Sequence, residues 1–259
     1  MKDIQNLKDN RNVDIQKVGI KHLELPLIIQ RKNSSNQVVC AKAKVSVSLP
    51  RDYKGTHMSR FVEVLTEWQH KNLLGVDIKG CLEKIIHNLD AQSGELEFKF
   101  PYFIDKKSPV KGMVAPMSYH CSFEGRIEND EYKFILGVEV PVTTLCPCSK
   151  EISDNGAHNQ RAFIKVKVSY DESEQVWIED LVDLIESCAS CPVYPLLKRE
   201  DEKYVTEKAW DNPKFVEDVL RDVVVKLRNH PIINEFDVEC EAFESIHNHS
   251  AWASQHEVK

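Results

Sequence analysis

Cys146 and Cys148 flank Pro147, and His158 follows after a turn-rich stretch that ends in Gly156-Ala157. Two thiols and an imidazole in so short a loop gather soft and borderline donors in a small volume. Such a set suits a transition metal or an activated thiolate. The spacing is too short and the donors too few for a closed zinc ribbon, and no second cysteine pair completes four ligands. An incomplete set, completed by a distant group, is the pattern of a catalytic metal site, where one position stays open for water or substrate. The plain alternative is a loop with two incidental thiols.

Other clusters offer what that loop lacks. Lys198-Arg199-Glu200-Asp201-Glu202-Lys203 is a mixed charge run, ordinarily a solvated face. It also holds carboxylates for a missing metal ligand and cations for phosphates. Near the C-terminus stand Glu241, Glu244, His247 and His249. Two histidines two residues apart in an extended chain point to one side, as ligands, general acid–base groups or a proton relay; a polar, exposed chain end is the plain alternative. Glu217 lies beside the apolar stripe of a predicted helix, where its plain role is an i,i+4 pair with Arg221.

The elements that must position these residues follow from hydrophobic period. Leu23, Leu25, Leu27 and Ile29 suggest a first strand that Pro26 interrupts. Ala41, Ala43, Val45, Val47 and Leu49 alternate with polar residues, the mark of a half-buried strand. Helical stripes follow: Phe61, Val64, Leu65 and Trp68 behind a Ser59 cap, then Ile78, Leu82, Ile85 and Leu89. Alternation returns at Leu96 to Tyr102, at Tyr119 to Phe123, and from Tyr132 to Val142 after a hairpin at Asn129-Asp130. The second half has the same plan. Ile164 to Tyr170 alternate, residues 176–187 read as a helix, and a helix capped by Asn212 with Pro213 first buries Val216, Val219, Leu220, Val223 and Leu227. Phe236, Val238, Cys240 and Ala242 restore period two. These signals predict an α+β chain: a polar N-terminal arm over residues 1–19, a first module over 20–145, and a second over 146–259 with the Cys loop at the junction.

Bulk composition narrows the function classes. The 259 residues are 42% hydrophobic and 29% charged, as in ordinary globular proteins. A net charge of −7 without a basic block argues against nucleic acid as a partner. No apolar run is long enough to span a membrane, and the first residues lack a secretory signal, so a cytoplasmic location is expected. The eight cysteines then read as thiols. Cys40, Cys81, Cys121, Cys188 and Cys240 lie in or near apolar patterns, and the Cys188/Cys191 pair suits a structural helix end.

Taken in order, LCPCSKEIS, GAHNQR, YPLLKREDEKYVTE, NPKFVEDVLRD and ESIHNHSAWA resemble the IB type of GTP cyclohydrolase I. The similarity covers nearly the whole chain beyond the N-terminal arm. It implies a tunnelling fold of two tandem modules, each an antiparallel four-stranded sheet with helices on one face. It also implies a homotetramer with active sites at subunit interfaces. Residue by residue, it implies Cys146, His158 and Glu200 as metal ligands, with Cys148 beside them. Glu217 would anchor the purine, and Glu244, His247 and His249 would stand behind the metal or serve as alternative ligands.

The activity implied is metal-dependent hydrolysis and rearrangement of GTP to 7,8-dihydroneopterin triphosphate and formate, the first step of tetrahydrofolate and pterin biosynthesis. On this reading each site takes one divalent metal (Zn, Mn or Fe(II)) and no organic cofactor. Cys146, Cys148, His158, His247 and His249 carry catalysis, while Arg161, Lys198 and Arg199 are candidate cations for the triphosphate. Two other readings share these residues. One is a related tunnelling-fold nitrile reductase with a thioimide-forming Cys, against which His158 and Glu200 argue. The other is a non-catalytic, metal-stabilised module for purines or pterins, which would unfold on losing its metal.

Overall fold

The computed structural model describes residue 5 and residues 7–259; the rest of the expected N-terminal arm lies outside the described residues. The chain divides into two compact units. Unit 1 comprises residues 1–101, 122–136 and 171–175, and unit 2 comprises 102–121, 137–170 and 176–259. These limits differ from the expected division at 145/146. Three long strands, β4 (Gly94–Lys107), β5 (Val114–Glu128) and β6 (Glu131–Leu145), each supply a segment to both units. The alternation read from Tyr132 to Val142 is β6, which lies between β5 and β7 (Asn159–Tyr170) in the strand order.

Unit 1 adds β1 (Ile15–Gln30), β2 (Asn36–Leu49), α1 (Met58–Trp68), β3 (Asn72–Leu73) and α2 (Asp77–Asn88). Its strands run in the order β6-β5-β4-β2-β1-β3. The expected inward residues of β2 and of β4 from Leu96 to Tyr102 are all buried, as are Phe61, Val64, Leu65 and Trp68. Tight approach of α2 explains Gly125, where a Cβ would lie 2.6 Å from Ile78 Cγ2. At the β5–β6 turn, Asn129 and Asp130 both take positive φ (52° and 64°), the geometry of a two-residue hairpin.

Three local expectations for this unit are corrected. Strand β1 begins at Ile15, inside the expected arm, and continues through Pro26. Pro26 stays in register with Cys40 of β2, and the other edge of β1 pairs only at Ile28–Ile29, with β3. Ser59 falls in the first turn of α1; the cap position belongs to His57, with no side-chain capping bond. Cys40 takes the outward register of β2 and is exposed, whereas Cys81 is buried.

Unit 2 adds α3 (Pro147–Ile152), β7, α4 (Ile178–Glu186), β8 (Cys191–Pro192), α5 (Arg199–Asp211), α6 (Val216–Arg228), β9 (Ile233–Ala242) and β10 (Ala251–Val258). The order is β10-β9-β7-β6-β5-β4, with β8 paired to β6. Helix α6 packs on β9 and β10 through Val216, Val219, Val223, Val224 and Leu227. It starts at Val216, not at Pro213. Asn212 instead ends α5, and Asp218 turns back to accept the Phe215 N–H at 3.0 Å, capping the new helix.

The charge run 198–203 opens α5, and one of its carboxylates is no solvated face. Asp201 is fully buried and accepts from the amides of Val110 (2.8 Å), Lys111 (3.0 Å) and Lys198 (3.0 Å). Burial alone would raise its pKa; the three amides and the Ser108 hydroxyl outweigh that and hold it at about 2. A second buried carboxylate, Glu186, accepts from Lys106 Nζ at 2.5 Å and from the Tyr119 hydroxyl at 2.9 Å. Burial draws the Lys106 pKa down, opposed by Glu186. Cys121, Cys188, Cys191 and Cys240 are buried, and burial pushes each thiol up, Cys240 to about 12. They are inert packing residues, as expected of the Cys188/Cys191 pair.

Candidate active site

Four segments of unit 2 meet around the Cys loop. Strand β6 ends at Leu145, and Pro147 at the first position of α3 leaves Cys146 in extended conformation as its cap. The Cys146 sulfur accepts the Ser149 N–H at 3.4 Å, and the Ser149 hydroxyl lies 3.1 Å from the Cys146 carbonyl. After α3, Gly156 takes φ +91°, a conformation strained for any side chain, and turns the chain back toward β7. The return is fixed twice: the Cys146 N–H donates to the His158 carbonyl (3.1 Å), and the His158 N–H donates to Ser149 Oγ (3.2 Å). Cys146 and His158 are thus neighbours by main-chain pairing. Cys148 sits one residue past Pro147 and is exposed.

The His158 ring is held from behind. Its Nδ1 lies 2.9 Å from Gln160 Oε1, and Gln160 Nε2 donates to Thr144 Oγ1 at 3.0 Å. Glu244 Oε2 approaches the same nitrogen at 3.8 Å. The loop between β9 and β10 brings Glu244 there because the Phe243 N–H donates to the Arg161 carbonyl (2.9 Å) and the Phe243 ring meets Phe163 edge-on. His247 and His249 stand on one side of that loop, exposed, with rings stacked at 5.0 Å and 13°.

Helix α6 is moored to the same place. The Lys214 N–H donates to the Leu145 carbonyl at 3.0 Å, which sets Glu217 in the first turn of a helix that begins beside the Cys loop. Glu217 is exposed, and Arg221 pairs with Asp218 at 3.4 Å rather than with Glu217. Helix α5 packs there too, through Val205 and Ala209 against Leu145 and Ala157, and Lys150 Nζ donates to the Trp210 carbonyl.

The three expected ligands do not form a compact donor set. Among the described residues, the donor atoms of Cys146, His158 and Glu200 do not come within 4.8 Å of one another. Glu200 is exposed at the start of α5, where Lys111 Nζ holds it at 2.7 Å and lowers its pKa. Lys198, Arg199 and Arg161 are exposed. Gln160, Thr144 and Ser149 were not singled out in the sequence. A signal existed for two of them: Gln160 and Thr144 are polar residues at inward positions of the β7 and β6 alternations, and both are buried.

A family model described as type I GTP cyclohydrolase folE2 matches residues 1–253. The GTP cyclohydrolase FolE2 of Geotalea uraniireducens (strain Rf4) is 50% identical over 254 residues, covering 98% of this chain and 92% of that protein. The FolE2 of Thermosipho africanus (strain TCF52B) is 50% identical over 253 residues, covering 98% and 96%. The chain belongs to the type I GTP cyclohydrolase FolE2 family. Among solved structures, the uricase of Arthrobacter globiformis aligns over 94% of this chain and 93% of its own, with TM-score 0.54 at 8% identity. A uricase from Bacillus fastidious covers 94% of each chain with TM-score 0.53 at 10% identity. At such identities the likeness speaks for the fold alone. The expected α+β tunnelling fold is the one observed, and the FolE2 family is a family of enzymes. No helix among the described residues is long and apolar enough to cross a membrane.

Proposed function

We propose that this chain converts GTP to 7,8-dihydroneopterin triphosphate and formate at the site around Cys146 and His158. The observation that supports the site is the main-chain pairing that makes Cys146 and His158 neighbours, with Glu244 3.8 Å from the ring nitrogen Nδ1 of His158. A thiol, an imidazole and nearby carboxylates form a mixed donor set that accepts Zn, Mn or Fe(II) without strong selection. Cys146 and His158 would hold one such ion, with Glu200 as third ligand and Glu244 as support or alternative. A bound divalent ion would supply Lewis acidity and an activated water for attack at C8 of guanine.

The protein's own groups do the rest. Glu217, exposed in the first turn of α6, has two acceptor oxygens for the paired N–H donors of the guanine edge, an arrangement adenine cannot match. His247 and His249 would hand a proton to the departing ring nitrogen. Arg161, Lys198 and Arg199 supply charge for the triphosphate. To serve as a ligand, Glu200 would have to leave Lys111. Both side chains are about half exposed, so little opposes that exchange, and it would release Lys111 as a further cation.

The assembly proposed is a homotetramer. Strand β10 ends the strand order of unit 2 with its outer edge unpaired among the described residues, and it carries exposed Trp252. An open edge with apolar side chains favours pairing with another chain. Light scattering should return four copies; a monomer at assay concentration would contradict it.

The test of activity is GTP turnover by metal-stripped protein with Zn, Mn or Fe(II) restored. Formate and a fluorescent pterin should form only with metal. Chelation should abolish turnover while far-UV circular dichroism stays unchanged, because an open site loses activity before structure. Unfolding on chelation would instead favour a metal-stabilised binding module.

A further inference from the structure

We infer that Gln160 is a positioning residue that locks His158 in one tautomer, with Thr144 anchoring the far end of the Gln160 amide. The inference rests on the reading of His158 as a metal ligand and adds how the ring is prepared for that role.

The geometry is a short relay. The Gln160 amide donates from Nε2 to Thr144 Oγ1 at 3.0 Å and presents Oε1 to His158 Nδ1 at 2.9 Å. An amide oxygen only accepts, so Nδ1 must carry the proton and the free lone pair is left on Nε2. A neutral imidazole coordinates through the nitrogen without the proton, and its other N–H is commonly held by an acceptor that fixes both tautomer and ring orientation. Glu244 cannot do this alone, since its carboxylate stands 3.8 Å from Nδ1. Gln160 is 9% exposed and Thr144 is 1% exposed, so the relay is shielded from water that would scramble it.

Burial also explains the choice of residue types. Gln160 continues the inward register of β7 ahead of Ala162, Ile164 and Val166, and Thr144 follows Val140 and Val142 in that of β6. Apolar side chains at both positions would extend the core. Two polar residues there are stable only because each bonds the other, and the remaining acceptor is spent on His158.

The test is 15N NMR of metal-free protein labelled in the histidine imidazoles, with the His158 signals assigned by their loss in His158→Ala. Zinc affinity is measured alongside by competition with a chelator. Wild type should show the proton on Nδ1. Gln160→Leu should show both tautomers and bind zinc about 10- to 100-fold more weakly. Gln160→Glu should restore both readouts, since a carboxylate accepts from Nδ1–H and the Thr144 hydroxyl can turn to donate. Thr144→Val, which never touches the ring, should shift both in the same direction by less. A merely structural role would leave the tautomer unmoved.

A wild-type ring protonated on Nε2 would mean that the amide faces the other way, and would overturn the proposal. So would a Gln160→Leu protein with wild-type tautomer and affinity. A His158→Ala protein that keeps wild-type zinc affinity would bring down the metal-ligand reading itself, and this role with it. Loss of affinity in His158→Ala with none in Gln160→Leu would sink only the inference about Gln160.

Discussion

The two units use the same materials to different ends. Among the described residues of unit 1 the buried groups are almost all apolar, with Ser46, Thr56 and Glu124 as the polar exceptions. Unit 2 buries Ser108, Thr144, Gln160, Glu186, Ser190 and Asp201. Buried polar groups are costly unless paired, and here their partners are specific. Asp201 takes three amides, Glu186 takes an ammonium and a phenol, and Gln160 bridges a hydroxyl and an imidazole. Unit 1 is a scaffold of sheet and helices closed by hydrophobic stripes. Unit 2 gives up apolar core to hold a loop, a helix start and a histidine ring in fixed directions.

The largest expected break in this comparison is chemical. Cys146→Ala should lower GTP turnover by at least about 10³-fold, more than 4 kcal/mol of barrier, while its thermal midpoint stays near that of wild type. A matched loss of stability would mean that the Cys loop is structural, as in unit 1. Next is the buried ion pair. Glu186→Ala leaves Lys106 uncompensated and should cost about 3–5 kcal/mol in urea unfolding. The double variant Lys106→Met with Glu186→Gln should recover most of that, because Gln still accepts from Tyr119.

Asp201 sharpens the comparison through pH. Its folded pKa, about 2, lies below the ordinary 3.8, so its contribution is present above pH 4 and disappears as pH falls toward 2. Asp201→Asn should destabilise the protein at neutral pH and flatten that part of the acid-unfolding curve; an unchanged curve would remove Asp201 from the clamp. The smallest effect belongs to unit 1. Lys84 pairs with Glu67 on an exposed face, and Lys84→Ala should change stability by no more than about 0.5 kcal/mol.

Much of this was legible in the sequence wherever one face is wet and the other dry. The alternations of β2, β4, β7 and β9 and the stripe of α1 fall on buried residues as read. The Cys146–His158 neighbourhood was legible because both residues lie on one short loop. What escaped depended on distant partners. Nothing near Asp201 in sequence tells that the amides of Val110 and Lys111 will surround it, so a charge run looked like a surface. Helix α6 starts late because Asp218 makes a better cap than the Asn212-Pro213 signal suggested. Strand β10 was missed because it is largely exposed and owes its form to pairing with β9. Gln160 and Thr144 could have been found, since a polar residue in an inward register must have a partner.

The most direct measurement is zinc K-edge X-ray absorption on the loaded protein, comparing wild type with Cys146→Ser. The account predicts one sulfur neighbour at about 2.3 Å with nitrogen and oxygen near 2.0–2.2 Å, and loss of the sulfur in the variant. A wild-type spectrum without sulfur, or a sulfur that survives Cys146→Ser, would contradict the site described for unit 2.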